Sequence, residues 1–146
     1  MIATLVSFIL LSFTPHSSDI GTLQISVENI KVAEGMIWVG LYRSEEDFLI
    51  KEKAILVGIN VEKEGQMKIT MPNLDYGEYA MAIFHDLNNN GEMDRNLVGI
   101  PSEPFAFSQK LKSKFKIPKF EDVKFTFEQD QQVLNTTLNK WWKHRG

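Results

Sequence analysis

Apolar and polar side chains alternate in short runs from Thr22 almost to the end of the chain, and this period of two constrains the fold more than any other feature. Leu23, Ile25 and Val27 alternate with Thr22, Gln24, Ser26 and Glu28, the pattern of a strand with one buried face. Ile37, Val39 and Leu41 repeat it against Met36, Trp38, Gly40 and Tyr42, and Ile55, Val57, Ile59 and Val61 form a third run. Met67, Ile69 and Met71 alternate with Gln66, Lys68 and Thr70 in a fourth. Tyr79 to Phe84 is apolar on both faces, which marks a central strand covered on each side. Val123, Phe125 and Phe127 make a sixth strand, and Val133 to Leu138 a seventh. Glu34-Gly35, Glu64-Gly65, Pro72-Asn73 and Tyr76-Gly77 supply turn residues between them. The expected fold is therefore all-β, a seven-stranded antiparallel β-sandwich. Its expected core holds Leu23, Ile25, Val27, Ile37, Val39, Leu41, Phe84, Phe125 and Phe127.

Two stretches break the rhythm. Ser44 to Ile50 suits one helical turn, with Ser44 as its cap and acidic residues after it. Asp86 to Asp122 reads as one long loop between strands five and six, and a loop of that size in a compact domain is usually functional.

Ile2 to Phe13 carries no charge and is too short to span a bilayer as a helix. With Pro15 and the small pair Ser17-Ser18 behind it, the run suits a secretory signal peptide; a buried first strand or helix is the competing reading. The expected organisation is a signal peptide over residues 1–18 and a single β-sandwich domain over residues 19–146, exported to the periplasm or secreted. The remainder holds no other long apolar run, so no transmembrane segment is expected in the mature chain. Sixteen Lys and Arg against nineteen Asp and Glu give a net charge of -3, which argues against a nucleic-acid partner. The absence of cysteine excludes disulfides, cysteine-ligated zinc, iron–sulfur clusters and thiol catalysis.

An ordered set of motifs runs through the chain. Gly35 to Tyr42 (GMIWVGLY) comes first, then Met71-Pro72-Asn73-Leu74-Asp75-Tyr76-Gly77-Glu78-Tyr79-Ala80, which leads into Phe84-His85-Asp86-Leu87-Asn88-Asn89-Asn90-Gly91-Glu92-Met93-Asp94. Gly99-Ile100-Pro101, Phe105-Ala106-Phe107-Ser108 and Pro118-Lys119-Phe120-Glu121-Asp122 follow. In this order they resemble domain-of-unknown-function family 2141, small exported bacterial proteins without an assigned activity. Ala106 departs from the similar members, which often carry Gly there. The Pro-x-Leu-x-x-Gly-x-Tyr piece also resembles a strand pair of prealbumin-like sandwich domains. That resemblance implies a prealbumin- or immunoglobulin-like sandwich and transfers no chemistry.

Asp86-x-Asn88-x-Asn90-Gly91-x-x-Asp94 has the spacing of a calcium loop of the EF-hand or dockerin kind. Asp86, Asn88 and Asn90 would present side-chain oxygens, Glu92 its backbone carbonyl, and Asp94 an oxygen directly or through water. Gly91 permits the turn, Leu97 stands where a bidentate Glu would close the shell, and Glu103 is placed to fold back and complete it. Calcium is thus the candidate cofactor. The competing reading is an Asn/Gly hairpin loop that hydrogen-bonds its own backbone.

Other residues point to weaker alternatives. His85 ends an apolar strand, where an imidazole more often makes a hydrogen bond than acts as a base. Trp38, Tyr42, Trp141 and Trp142 could offer a platform for sugar rings, or simply pack, with Trp38 and Tyr42 on one strand face. Lys110, Lys112, Lys114, Lys116 and Lys119, with Phe115 and Phe120 among them, form the one basic stretch. The functional expectation is a non-catalytic exported domain that binds or assembles at the cell envelope, with an envelope protein or glycan as partner. The alternatives are a carbohydrate-binding module and a metal-assisted hydrolase with its site near His85, Asp86 and Asp94.

Overall fold

A computed structural model describes residues 19–113 and 116–141. The expected signal peptide, together with Lys114, Phe115 and Trp142, lies outside the described residues. Each of the seven expected runs forms a strand: β1 (Ile20–Ile30), β2 (Met36–Tyr42), β3 (Ile55–Asn60), β4 (Gly65–Asp75), β5 (Gly77–Asp86), β7 (Lys124–Phe127) and β8 (Gln132–Thr137), although Val123, expected to open the sixth run, instead ends the helix before it. An eighth, β6 (Phe105–Phe107), and a short helix α1 (Phe120–Val123) lie within the stretch expected to be one long loop. Phe-Ala-Phe is three residues long and apolar on both faces, so it carries no alternation to read.

The strands form two sheets. One has the order β4-β1-β8; the other runs β3-β2-β5-β6, with β7 also paired to β5. β6 and β7 take successive stretches of β5: Ala82 to Phe84 pairs with Phe107 to Phe105, and Gly77 to Ala80 with Phe127 to Lys124. The fold is not purely antiparallel. β8 lies parallel to β1, with Leu23 opposite Gln132 and Glu28 opposite Thr137. Alternation reports which face of a strand is buried, and says nothing of which neighbour it takes or in which direction.

Residues of both sheets share one core. Leu23, Ile25 and Val27 of β1 and Ile69 and Met71 of β4 meet Ile37, Val39 and Leu41 of β2, Tyr79, Met81 and Ile83 of β5, and Phe125 and Phe127 of β7. In β1 the register shifts between Glu28 and Ile30, where Asn29 takes a left-handed φ of 67°. That extra residue turns Ile30 inward, where unbroken alternation would face it outward.

Eight of the nine expected core residues are buried; Phe84 is the exception. β5 points Tyr79, Met81, Ile83 and His85 inward, whereas Phe84 is half-buried on the opposite face with Ala80 and Ala82. Because both faces of this strand are apolar, periodicity could not fix its phase. Ser44 to Leu49 forms hydrogen-bonded turns, not a helical turn. Ser44 Oγ does accept the Asp47 N–H at 3.2 Å, but Leu49 at φ 66° prevents helical continuation. Ala106 sits in regular strand opposite Ile83, so the departure from Gly leaves the backbone undistorted there.

Candidate functional site

β5 ends at Asp86, which faces away from the core. There Trp38 of neighbouring β2 donates its Nε1–H to Asp86 Oδ2 at 3.1 Å. The same carboxylate accepts the Asn90 N–H at Oδ1 (3.2 Å) and the Gly91 N–H at Oδ2 (2.8 Å). Asp86 is only 1% exposed, and these three donors offset the loss of water around its charge. Side chain and backbone then interlock along the loop. Asn88 Oδ1 accepts from Asn90 N (3.1 Å), and Asn90 Oδ1 from Glu92 N (2.8 Å). Asn89 at φ 58° and Gly91 at φ 77° supply the left-handed turns.

Asp94 closes the loop. Its carboxylate accepts Asn88 Nδ2 at 2.7 Å and Asn90 Nδ2 at 2.9 Å. Glu103, 4% exposed, does fold back as expected, though onto backbone. Its Oε1 accepts Leu87 N–H (2.8 Å) and its Oε2 accepts Asp94 N–H (3.1 Å), so one buried carboxylate ties both ends of the loop together. Four of the five expected ligands, Asp86, Asn88, Asn90 and Asp94, are thereby gathered by mutual hydrogen bonds. Glu92, expected to offer only its backbone carbonyl, joins them through its N–H to Asn90 and leaves its side chain exposed.

The donor set is all oxygen, as a hard cation requires; Asp86 Oδ2 already accepts two hydrogen bonds, whereas Asp86 Oδ1 accepts one. Among the described residues no three acidic or imidazole side chains converge to hold a metal by themselves. A cation would therefore draw part of its shell from Asn and backbone oxygens. Asn88 and Asn90 now turn N–H groups toward Asp94, so both amides would have to rotate to coordinate beside it.

His85 and Asp86 do not form one site. Neighbouring strand residues face opposite ways: the His85 ring is on the core side, 1% exposed, with Nε2 2.7 Å from the Glu34 carbonyl. The expected hydrolytic grouping of His85, Asp86 and Asp94 is thus divided by the sheet. Lys110, Lys112, Lys116 and Lys119 are exposed, while Phe120 is buried with Ala80 and Val123 against Phe48, Phe107 and Leu111.

Trp38 and Tyr42 share the outer face of the five-stranded sheet, as their spacing implies. They line a cavity of about 490 Å³ together with Phe84, Phe105, Phe107 and Trp141, and the loop contributes Gly91, Glu92 and Met93 to its wall. Trp141 rests on Phe105 with ring centroids 5.9 Å apart, and Tyr42 meets Phe48 edge-on at 5.4 Å. Burial, and secondarily the charge of Glu52, push the Tyr42 phenol pKa up. Sequence reasoning had grouped the aromatic residues; the cavity itself needed the long stretch after β5 to fold back over the sheet. The one hint was Phe84, apolar on the face opposite Ile83.

Searches of curated proteins and of solved structures each found no match. A family model described as an uncharacterized protein conserved in bacteria (DUF2141) matches residues 25–135, a span that takes in both sheets, the loop and most of the cavity wall. The chain therefore belongs to domain-of-unknown-function family 2141.

Proposed function

We propose that this chain is an exported, non-catalytic β-sandwich domain of the prealbumin- or immunoglobulin-like kind, stabilised by calcium and binding a partner at the cell envelope. The two sheets that share one core support the sandwich, and the uncharged run Ile2 to Phe13 supports export. One observation carries the calcium reading: the side chains of Asp86, Asn88, Asn90 and Asp94 gather on a single turn whose two ends Glu103 pins, and rotation of the two amides would turn their oxygens toward Asp94. A cation entering there would replace the amide contacts to Asp94 and draw the loop tighter. With Leu97 in place of a bidentate Glu, the expected dissociation constant is about 10⁻⁴–10⁻³ M, the extracellular range.

Thermal melts with calcium and with chelator test this. At about ten times the dissociation constant, linkage stabilises the fold by about 1.4 kcal/mol, a melting shift of a few degrees. Asp94→Ala should abolish the shift, and Glu92→Ala should retain it. Asp94 is the better probe than Asp86, because Asp86 already holds Trp38 and two backbone N–H groups without a metal. Magnesium should substitute poorly, since it demands tighter octahedral geometry. Equal melting curves with calcium and chelator would reduce the loop to a hydrogen-bonded turn. Export is read separately: mass spectrometry should find the native N-terminus between about residues 15 and 21.

A further inference from the structure

We infer that the cavity on the outer face of the five-stranded sheet is a binding site for a small planar aromatic compound bearing one acidic group. The volume, about 490 Å³, falls within the range of small-molecule sites. Six aromatic residues, Trp38, Tyr42, Phe84, Phe105, Phe107 and Trp141, are among its lining. Such walls match an aromatic ring better than a sugar, whose hydroxyls need several fixed hydrogen-bonding partners.

Trp38 is held in place from three sides. Its ring lies against Gly58, where an added Cβ would come within 2.7 Å of the indole; Asp86 accepts its Nε1–H; Lys51 Nζ sits 5.7 Å from its ring centre. A wall fixed before a ligand arrives loses little freedom on binding.

The polar groups say what the ring should carry. Tyr42 is 6% exposed, and its hydroxyl lies over Gly40 on the cavity floor, close enough that a Cβ there would come within 3.1 Å. This hydroxyl has no hydrogen-bond partner among the described residues, yet it is not sealed from solvent. A phenol is protonated at neutral pH, so the hydroxyl is a donor. Lys51 and Arg95 line the same cavity; they donate to the Gly91 and Gly99 carbonyls, keep further N–H groups, and belong to no ion pair among the described residues. Donor and cations favour a carboxylate or sulfonate, whereas Glu52 and Glu92 in the same lining disfavour a polyanion.

The inference rests on reading the chain as a binding domain, and not on calcium, so the test runs in chelator. The probe is 8-anilinonaphthalene-1-sulfonate, titrated against the folded protein by fluorescence, with the Trp38 indole N–H followed by NMR. Saturable single-site binding that shifts this resonance is expected. Ala82→Leu, which adds bulk to the floor beside Gly40, should weaken binding by about tenfold or more. If that variant unfolds, the exposed Arg95→Ala decides instead: it should weaken the sulfonate several-fold and spare uncharged N-phenyl-1-naphthylamine. Binding that neither variant changes, or no saturable binding, would overturn the inference. So would tighter competition by maltotriose or dodecanoate than by 1-naphthalenesulfonate. A calcium melting shift without probe binding removes this inference alone; probe binding without the shift removes only the calcium reading.

Discussion

The outer faces of the two sheets are built on opposite plans. On the three-stranded sheet, Gln24, Ser26 and Glu28 of β1 lie beside Gln66, Lys68 and Thr70 of β4, and they bond to one another. Thr70 Oγ1 donates to Gln24 Oε1 at 2.9 Å, and Gln66 Nε2 to Ser26 Oγ at 2.6 Å. Here most of the polar half of the alternation meets water, with Ser26 buried beneath its neighbours, as in many antiparallel sheets. On the five-stranded sheet the corresponding positions are Trp38, Gly40, Tyr42, Ala82 and Phe84, and long excursions of the chain cover them. The first face needs nothing on it. The second is apolar, roofed, and still leaves a cavity, the one to which we assign the proposed binding.

The largest effects should come from the face both sheets share. Phe125→Ala removes a buried ring between Tyr79 and the rest of the core, and should cost about 3–5 kcal/mol through lost burial plus a cavity. A loss below about 1 kcal/mol in chemical denaturation would break the register assigned to β7. Ile83 and Phe84 set the two faces of one strand against each other. Ile83→Ala should cost about 2–5 kcal/mol. Phe84→Ala, although it deletes more atoms, should cost about 1–2 kcal/mol, because the ring is half-buried beside space that is already open. Equal losses would mean that the outer face is packed as tightly as the core.

The roof itself is tested through Glu103. Glu103→Ala leaves the N–H groups of Leu87 and Asp94 without their acceptor and should cost about 2–3 kcal/mol, partly relieved by water. Amide exchange from Leu87 to Asp94 should accelerate, while exchange in β1 and β4 should not. Uniform acceleration would show that loop and sheets open together.

Much of this contrast was legible in the sequence. Strict alternation at Leu23 to Val27 and Ile37 to Leu41 placed the core, and Trp38 and Tyr42 stood together on one face. The loop spacing from Asp86 to Asp94 singled out side chains that do gather. What escaped depends on long-range partners. Phe-Ala-Phe at residues 105–107 becomes a strand only because β5 offers an edge, and β8 runs parallel to β1 only because the chain changes sheets after β7. Glu103 was expected near the loop, but that it would bond backbone at both ends depends on Pro104 and Phe105 being held beside β5.

Alkaline pH probes the same cavity from another direction. Burial raises the Tyr42 pKa in the fold, so the folded state keeps a proton that the unfolded chain gives up above about pH 10. The stability this contributes is fully present below the unfolded pKa and is lost as pH rises through the folded one. Tyr42→Phe should therefore flatten the fall in melting temperature above pH 10, leaving neutral stability little changed. An undiminished fall would assign it to other groups.

The smallest effect should be on the bare sheet. Thr70→Ala removes the hydroxyl that bonds Gln24, but Thr70 is exposed, Gln24 only half-buried, and water takes over the lost contact. The change should stay within about 0.5 kcal/mol, and any residue of it should reflect the β-propensity of threonine over alanine. The Asp94→Ala melt measures how much the loop alone contributes, and Thr70→Ala supplies the baseline for a surface change on the polar outer face. A loss of about 2 kcal/mol at Thr70 would mean that this face is also covered, since only a desolvated hydroxyl contact is worth that much. The two outer faces would then differ in what covers them, and the polar ladder of β1 and β4 would itself mark an interface.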